Sequence, residues 1–206
     1  MLIKICGITS SEIAETAVQA GADFLGFVFA KSKREISADQ ARKIIAALPE
    51  HVKSVGVFVN KDVQEIEKIA RITGLDLIQL HGEESAETVS SLTLPVIKSL
   101  PGTEEGIKKA AQYDAASYLL MDSPPLPHAH GGNGISFNWS MLKDYTFSNQ
   151  LILAGGLTPE NVAEAIQLVN PSGVDVSSGV ETDGKKDPDK IKAFIQAAKR
   201  TIERNR

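Results

Sequence analysis

The chain has 206 residues, a single cysteine and a formal net charge of -4, long enough for one domain whose core needs no disulfide. One cysteine cannot form an internal bridge, an acidic balance is poorly suited to holding phosphodiesters, and no apolar run approaches the roughly 20 residues that span a bilayer. With no charged leader ahead of the first strand-like run, the expectation is a cytoplasmic protein with neither a membrane nor a nucleic acid as partner.

The first strand-like run, Ile3 to Cys6, ends at the cysteine. Period-two alternation puts Lys4 and Cys6 on one face and Ile3 and Ile5 on the other. Gly7 lets the backbone turn, and Thr9-Ser10-Ser11-Glu12 reads as a capping box for a helix over about Ser11 to Ala20, closed by Gly21. The second unit is Phe24 to Phe29, a polar loop, then a capping box at Ser37-Ala38-Asp39-Gln40 and a helix with Ala41, Ile44, Ile45 and Leu48 on one stripe. The third is Ser54 to Val59, with Asn60 as N-cap before Val63, Ile66 and Ala70. The fourth runs Asp76 to Leu80, then His81-Gly82 and a helix from about Glu83 to Leu92. The fifth is Pro95 to Lys98 with a weakly apolar helix after Gly102, and the sixth is Ser117 to Asp122, followed by a Pro- and Gly-rich stretch from Ser123 through Asn138. The seventh is Leu151 to Ala154, the Gly155-Gly156-Leu157 turn, and a helix with Thr158-Pro159 as N-cap and N1. The eighth is Gly173 to Gly179 with a closing helix from about Pro188 to Ile202.

Near-continuous apolar strands alternating with helices predict a parallel sheet covered on its outer side, and eight such units in about 200 residues match a small closed (β/α)8 barrel, a TIM barrel, over 1–206. An open doubly wound sheet is the alternative, but the turn after the first strand carries no dinucleotide glycine fingerprint.

In such a barrel the residues just past each strand meet on one rim: Cys6, the Lys31 to Arg34 loop, His81, Asp122, Gly155-Gly156, and Asp175 through Gly179. Loops of the seventh and eighth units commonly hold a phosphate on backbone N–H groups, which favours a phosphorylated small molecule; the same glycines equally serve to end strands. Cys6 is either a buried structural thiol or a base, and a base must be thiolate, for which Lys4 is the nearby cation. Asp122 is a rim proton donor or a turn cap before Ser123-Pro124-Pro125, and Arg34 is a bidentate anion holder or a solvated loop arginine. His81 orients a ligand or is structural. His128 and His130 have the spacing of a metal pair without a third ligand, so no metal is expected. Lys185-Lys186 and the basic tail from Lys199 read as solvated helix ends.

Lys4-Ile5-Cys6-Gly7-Ile8-Thr9, Gly26-Phe27-Val28-Phe29, Ser32-Lys33-Arg34-Glu35-Ile36-Ser37, Val55-Gly56-Val57-Phe58, Gln79-Leu80-His81-Gly82, Gly155-Gly156-Leu157 and Asp175-Val176-Ser177-Ser178-Gly179-Val180-Glu181, in this order, resemble phosphoribosylanthranilate isomerase. The resemblance implies a single-domain (β/α)8 barrel of tryptophan biosynthesis. Its reaction would be the Amadori rearrangement of N-(5-phosphoribosyl)anthranilate to 1-(2-carboxyphenylamino)-1-deoxyribulose 5-phosphate, without a cofactor. It implies Asp122 as general acid and Cys6 as general base, and Arg34 as the holder of the anthranilate carboxylate. Gly155, Gly156, Ser178 and Gly179 would hold the phosphate, with His81 and Asp175 as supporting residues at the substrate. The chain is expected to be a monomer or homodimer. Departures from the family pattern are Glu35 after the arginine, Gly131-Gly132-Asn133-Gly134 in the long loop and Asn138 before Trp139.

Overall fold

The computed structural model describes residues 1–124, 137–143 and 145–204. Eight strands follow in chain order: β1 (Leu2–Cys6), β2 (Phe24–Val28), β3 (Lys53–Phe58), β4 (Leu77–Leu80), β5 (Val96–Pro101), β6 (Tyr118–Asp122), β7 (Gln150–Leu153) and β8 (Gly173–Val176). Each pairs in parallel with the next, and β8 pairs back onto β1, so the barrel closes as the sequence predicts. The outer layer is α1 (Ser11–Ala20), α2 (Ala38–Ile45), α3 (Val63–Thr73), α4 (Ala86–Ser91), α5 (Glu104–Lys109), α6 (Val162–Val169) and α7 (Pro188–Arg204). In the sixth unit the described helical segment is a single 3-10 turn, Trp139–Leu142, with the Asn138 side chain accepting from the Ser140 N–H and hydroxyl at 3.2 and 2.7 Å.

Strand parity divides the core in two. One set, including Phe24, Val55, Leu77, Ile97, Leu120 and Ile152, fills the lower barrel interior. The alternate set, including Ile3, Ile5, Leu25, Phe27, Ile78 and Val174, faces the helices. Following the inward parity upward, Leu77 leads to Gln79 and Leu120 to Asp122, so the apolar plug gives way to polar groups at the carboxyl ends of the strands.

Several caps differ from expectation, in two cases because another loop or strand claims the side chain. Ser10 rather than Thr9 caps α1, accepting from the Ile13 N–H at 3.3 Å. The Ser37–Gln40 capping box is present on α2, which ends at Ile45, short of Leu48. Asn60 is not the N-cap of α3: it sits at φ 48° and its Oδ1 accepts from the Glu83 N–H, leaving Asp62 at the cap. Glu84 turns inward to Lys98, so α4 starts later than expected, capped by Ser85. Thr158-Pro159 lies in a turn before α6, its Thr158 N–H donating to Asn161 Oδ1.

The largest correction concerns Lys185-Lys186, which is not a helix end. Asp183 and Gly184, at φ 53° and 75°, fold the chain into a two-residue hairpin of β9 (Glu181–Thr182) and β10 (Lys185–Lys186). An Asp-Gly pair is the sequence form of that turn. The hairpin carries the Lys186 side chain under the barrel mouth, where only 4% of it is exposed.

Candidate active site

The site is built from the top inward-facing position of several strands. Register sets Lys4 of β1 opposite Asp175 of β8, and their side chains form an ion pair of 2.9 Å inside the barrel. Register also sets Cys6 opposite Gly26 of β2. A Cβ on Gly26 would lie 2.7 Å from Cys6 Sγ and 3.2 Å from Lys4 Nζ, so the thiol and the ammonium pack over one bare backbone position. Gly26→Ala is therefore expected to cost about 1–3 kcal/mol by overpacking and to reduce turnover more than stability; a thermal melt beside a turnover assay measures both.

Charges around the thiol oppose each other. Burial pushes the Cys6 thiol up, Lys4 pulls it down, Asp175 adds to the rise and Lys186 pulls down again, leaving it above its ordinary value. For Lys4, burial favours the neutral amine, but Asp175 and then Cys6 outweigh it and hold the ammonium more firmly than in water. The expected thiol–cation pairing is thus present, with the cation shared by a carboxylate.

Across the cavity, His81 Nε2 lies 3.3 Å from Asp122 Oδ2, while Asp122 Oδ1 accepts from the Ser123 N–H at 2.7 Å. Gln79 Nε2 is 3.0 Å from His81 Nδ1. With the amide donating to Nδ1, the imidazole proton sits on Nε2 and points at the Asp122 carboxylate. Gln79 is a residue that the sequence reading missed. Its signal is a buried amide, two residues before His81 on an inward-facing parity, in an otherwise apolar strand.

His81 is held by the loop behind it. Glu84 accepts from the Asn60 and Gly82 N–H groups and from Lys98 Nζ at 2.8 Å, and Lys98 also donates to the Gly82 carbonyl at 2.7 Å. Burial works against the Glu84 carboxylate, but Lys98 and the backbone donors outweigh it and lower its pKa.

Arg34 reaches over the mouth from the β2 loop and is bidentate to Glu181, Nε to Oε1 at 2.7 Å and Nη2 to Oε2 at 2.9 Å. Lys186 Nζ donates to the same Glu181 Oε1 at 2.6 Å and to the Ser177 carbonyl at 2.8 Å. The Ser177 hydroxyl in turn donates to the Cys6 carbonyl at 3.2 Å.

Cys6, Arg34, Gln79, His81, Asp122 and Asp175 line one cavity of about 410 Å³. Asp122 and Asp175 also border an adjoining hollow lined by Gly155, Gly156, Ser178 and Gly179. Gly155 and Gly156, at φ 82° and 67°, take left-handed backbone that side chains disfavour, and there is no room for a Cβ on Gly155, which would sit 2.5 Å from the Ser123 nitrogen. The sequence-predicted site residues therefore meet in two connected hollows. Among the described residues no group of three or more His, Cys, Asp or Glu could hold a metal. His128, His130 and Gly131–Gly134 lie outside the described residues.

Residues 3–197 match the family of N-(5'-phosphoribosyl)anthranilate (PRA) isomerase. An N-(5'-phosphoribosyl)anthranilate isomerase of Oceanobacillus iheyensis is 52% identical over 200 residues, covering 97% of this chain and 98% of the relative. The crystal structure of phosphoribosyl anthranilate isomerase from Thermotoga maritima is 44% identical with a TM-score of 0.89, covering 97% of this chain and 99% of that one. A phosphoribosyl anthranilate isomerase solved with reduced 1-(o-carboxyphenylamino)-1-deoxyribulose 5-phosphate is 43% identical with a TM-score of 0.86, covering 97% and 98%. A likeness that runs through nearly the whole of each chain, on a barrel of the same topology, places this chain in the N-(5'-phosphoribosyl)anthranilate isomerase family of tryptophan biosynthesis.

Proposed function

We propose that the cavity isomerises N-(5-phosphoribosyl)anthranilate by general acid and base catalysis, with Asp122 as acid and Cys6 as base. The observation that carries this is that Cys6 and Asp122 border one cavity from two separate strands, β1 and β6. The Asp122 carboxyl delivers a proton to the furanose ring oxygen, and the anilino nitrogen's lone pair opens the ring to a cationic Schiff base. The Cys6 thiolate takes the proton from C2, whose electrons flow to the nitrogen and leave an enolamine. Protonation at C1 and loss of the C2 hydroxyl proton complete the ketone, so the sequence is redox-neutral overall and calls on no cofactor.

Arg34 holds the anthranilate carboxylate, and the Gly155-Gly156 turn with Ser178-Gly179 holds the phosphate on backbone donors. His81 hydrogen-bonds Asp122 and fixes its rotamer, and Asp175 keeps Lys4 charged beneath the thiol. The whole of 1–206 forms the one catalytic domain in this reading. No helix among the described residues is long and apolar enough to cross a membrane, and a reaction on a charged phosphorylated intermediate suits the cytoplasm.

The test is turnover of phosphoribosylanthranilate generated in situ, followed by loss of anthranilate-type fluorescence. Turnover by the purified chain supports the reading and its absence ends it. Replacing Arg34 by Met removes a charge-assisted bidentate contact, and the expected result is a rise of about ten- to a hundredfold in KM with a smaller change in kcat. An unchanged KM would remove Arg34 from the binding site.

A further inference from the structure

Arg34 does not stand free at the cavity mouth. Its side-on edge, Nε and one N–H of Nη2, is already occupied by Glu181 at 2.7 and 2.9 Å. A guanidinium has five N–H donors, and the three left over include the end-on fork formed by Nη1 and the second N–H of Nη2. That fork is still able to take a carboxylate with two parallel bonds. Glu181 itself does not border the cavity, whereas Arg34 does. The Glu181 side chain is 8% exposed and that of Lys186 is 4% exposed, so neither is there to interact with solvent.

A buried arginine–carboxylate pair alone would be neutral and would offer an anionic ligand little net attraction. Lys186 alters that balance. Its ammonium lies 2.6 Å from Glu181 Oε1 and is anchored on the Ser177 carbonyl at 2.8 Å. Burial works against the Glu181 carboxylate, but Arg34 and Lys186 outweigh it and hold it ionised; burial in turn lowers Lys186, partly offset by Glu181. With all three ionised the set carries one net positive charge, and the only member facing the ligand is Arg34. In a partly dry site the charge two bonds' reach away acts far more strongly than it would in water.

We infer that Glu181 and Lys186, on the hairpin after β8, are positioning residues that decide specificity for a carboxylated aglycone. Glu181 fixes which edge of Arg34 faces the ligand, and Lys186 cancels the charge that Glu181 brings. The inference rests on Arg34 being the carboxylate holder. It goes further in assigning the selectivity to two side chains that do not touch the ligand. It also explains why a two-stranded hairpin sits between β8 and α7: the Asp183-Gly184 turn sets Glu181 and Lys186 opposite each other in register.

The experiment compares two ligands by calorimetry, reduced 1-(o-carboxyphenylamino)-1-deoxyribulose 5-phosphate and the same compound without its ring carboxylate. The ratio of their dissociation constants isolates what the carboxylate contributes. Glu181→Gln and Lys186→Met are each expected to shrink that ratio by about tenfold, the size of one lost charge-assisted contact, while affinity for the decarboxylated ligand stays within about twofold. Glu181→Asp should recover part of the loss. Should either single variant fail to fold, the Glu181→Gln/Lys186→Met double variant removes both buried charges, leaves one net positive charge on Arg34 and reads the edge-fixing by Glu181 alone, with the ratio again expected to shrink by about tenfold. An unchanged ratio in these variants, with Arg34→Met collapsing it, overturns the positioning inference alone. An unchanged ratio in Arg34→Met as well overturns the assignment of Arg34 and with it the basis of this inference.

Discussion

Cys6→Ala and Asp122→Ala are each expected to lower kcat by about 10²–10⁴-fold, the range that one positioned proton donor or acceptor supplies, with circular dichroism and melting temperature close to those of the parent. Cys6 is small, and its replacement leaves the Lys4–Asp175 pair of 2.9 Å in place. Asp122 is part-exposed at the cavity wall, where its Oδ1 accepts from the Ser123 N–H at 2.7 Å. Steady-state fluorescence assays on the in situ substrate give kcat. If either variant turned over like the parent, the acid–base assignment would be wrong. Combining the two should cost less than the product of the single losses, because the two groups serve successive steps of one reaction and only the slower step limits turnover.

Lys4→Met is expected to have the second largest effect, and on two readouts. Removing one partner of a buried ion pair leaves Asp175 uncompensated, a loss of about 3–5 kcal/mol, or roughly 6–20 °C in melting temperature for a chain of this size. The pH profile of kcat/KM is the more informative readout. Cys6 sits above its ordinary value because burial raises it, and Lys4 is the largest influence pulling it back down. The activating limb belongs to the thiolate, so it rises with pH, and losing Lys4 moves that limb to still higher pH. Lys4→Met/Asp175→Asn should regain part of the stability, because no bare carboxylate is left inside, and should bring the limb part of the way back down, because Asp175 also raises the thiol. A profile that does not move in Lys4→Met would end the claim that Lys4 supports the thiolate.

The barrel was legible because each strand stops at a recognisable turn and because inward and outward parity can be counted from the apolar residues. Cys6, His81 and Asp122 could be placed at the cavity for the same reason, each standing at or just past the end of such a strand, and Asp175 lies one residue before the end of β8. What could not be read is where long side chains go once the loops are folded. Lys186, in a polar segment of Thr182-Asp183-Gly184-Lys185-Lys186, looks like solvated surface until the Asp-Gly turn folds it inward, and Glu181 gives no local sign that Arg34, 147 positions earlier, is its partner. The caps show the same limit. Asn60 has the right chemistry for the start of α3, but the Glu83 N–H competes for its side chain from another loop. Local preference is decided there by a contact that exists only in the closed barrel.

The seam between β1 and β8 has a consequence for biogenesis. Lys4 and Asp175 stand 171 positions apart in the chain, and in the finished protein they meet inside the barrel. A nascent chain halted before the eighth strand would therefore carry an ammonium with no counterion at the place where its interior has to close. Such a chain has reason to stay open, and the cysteine beside that ammonium acquires its final surroundings only once the eighth strand has been made.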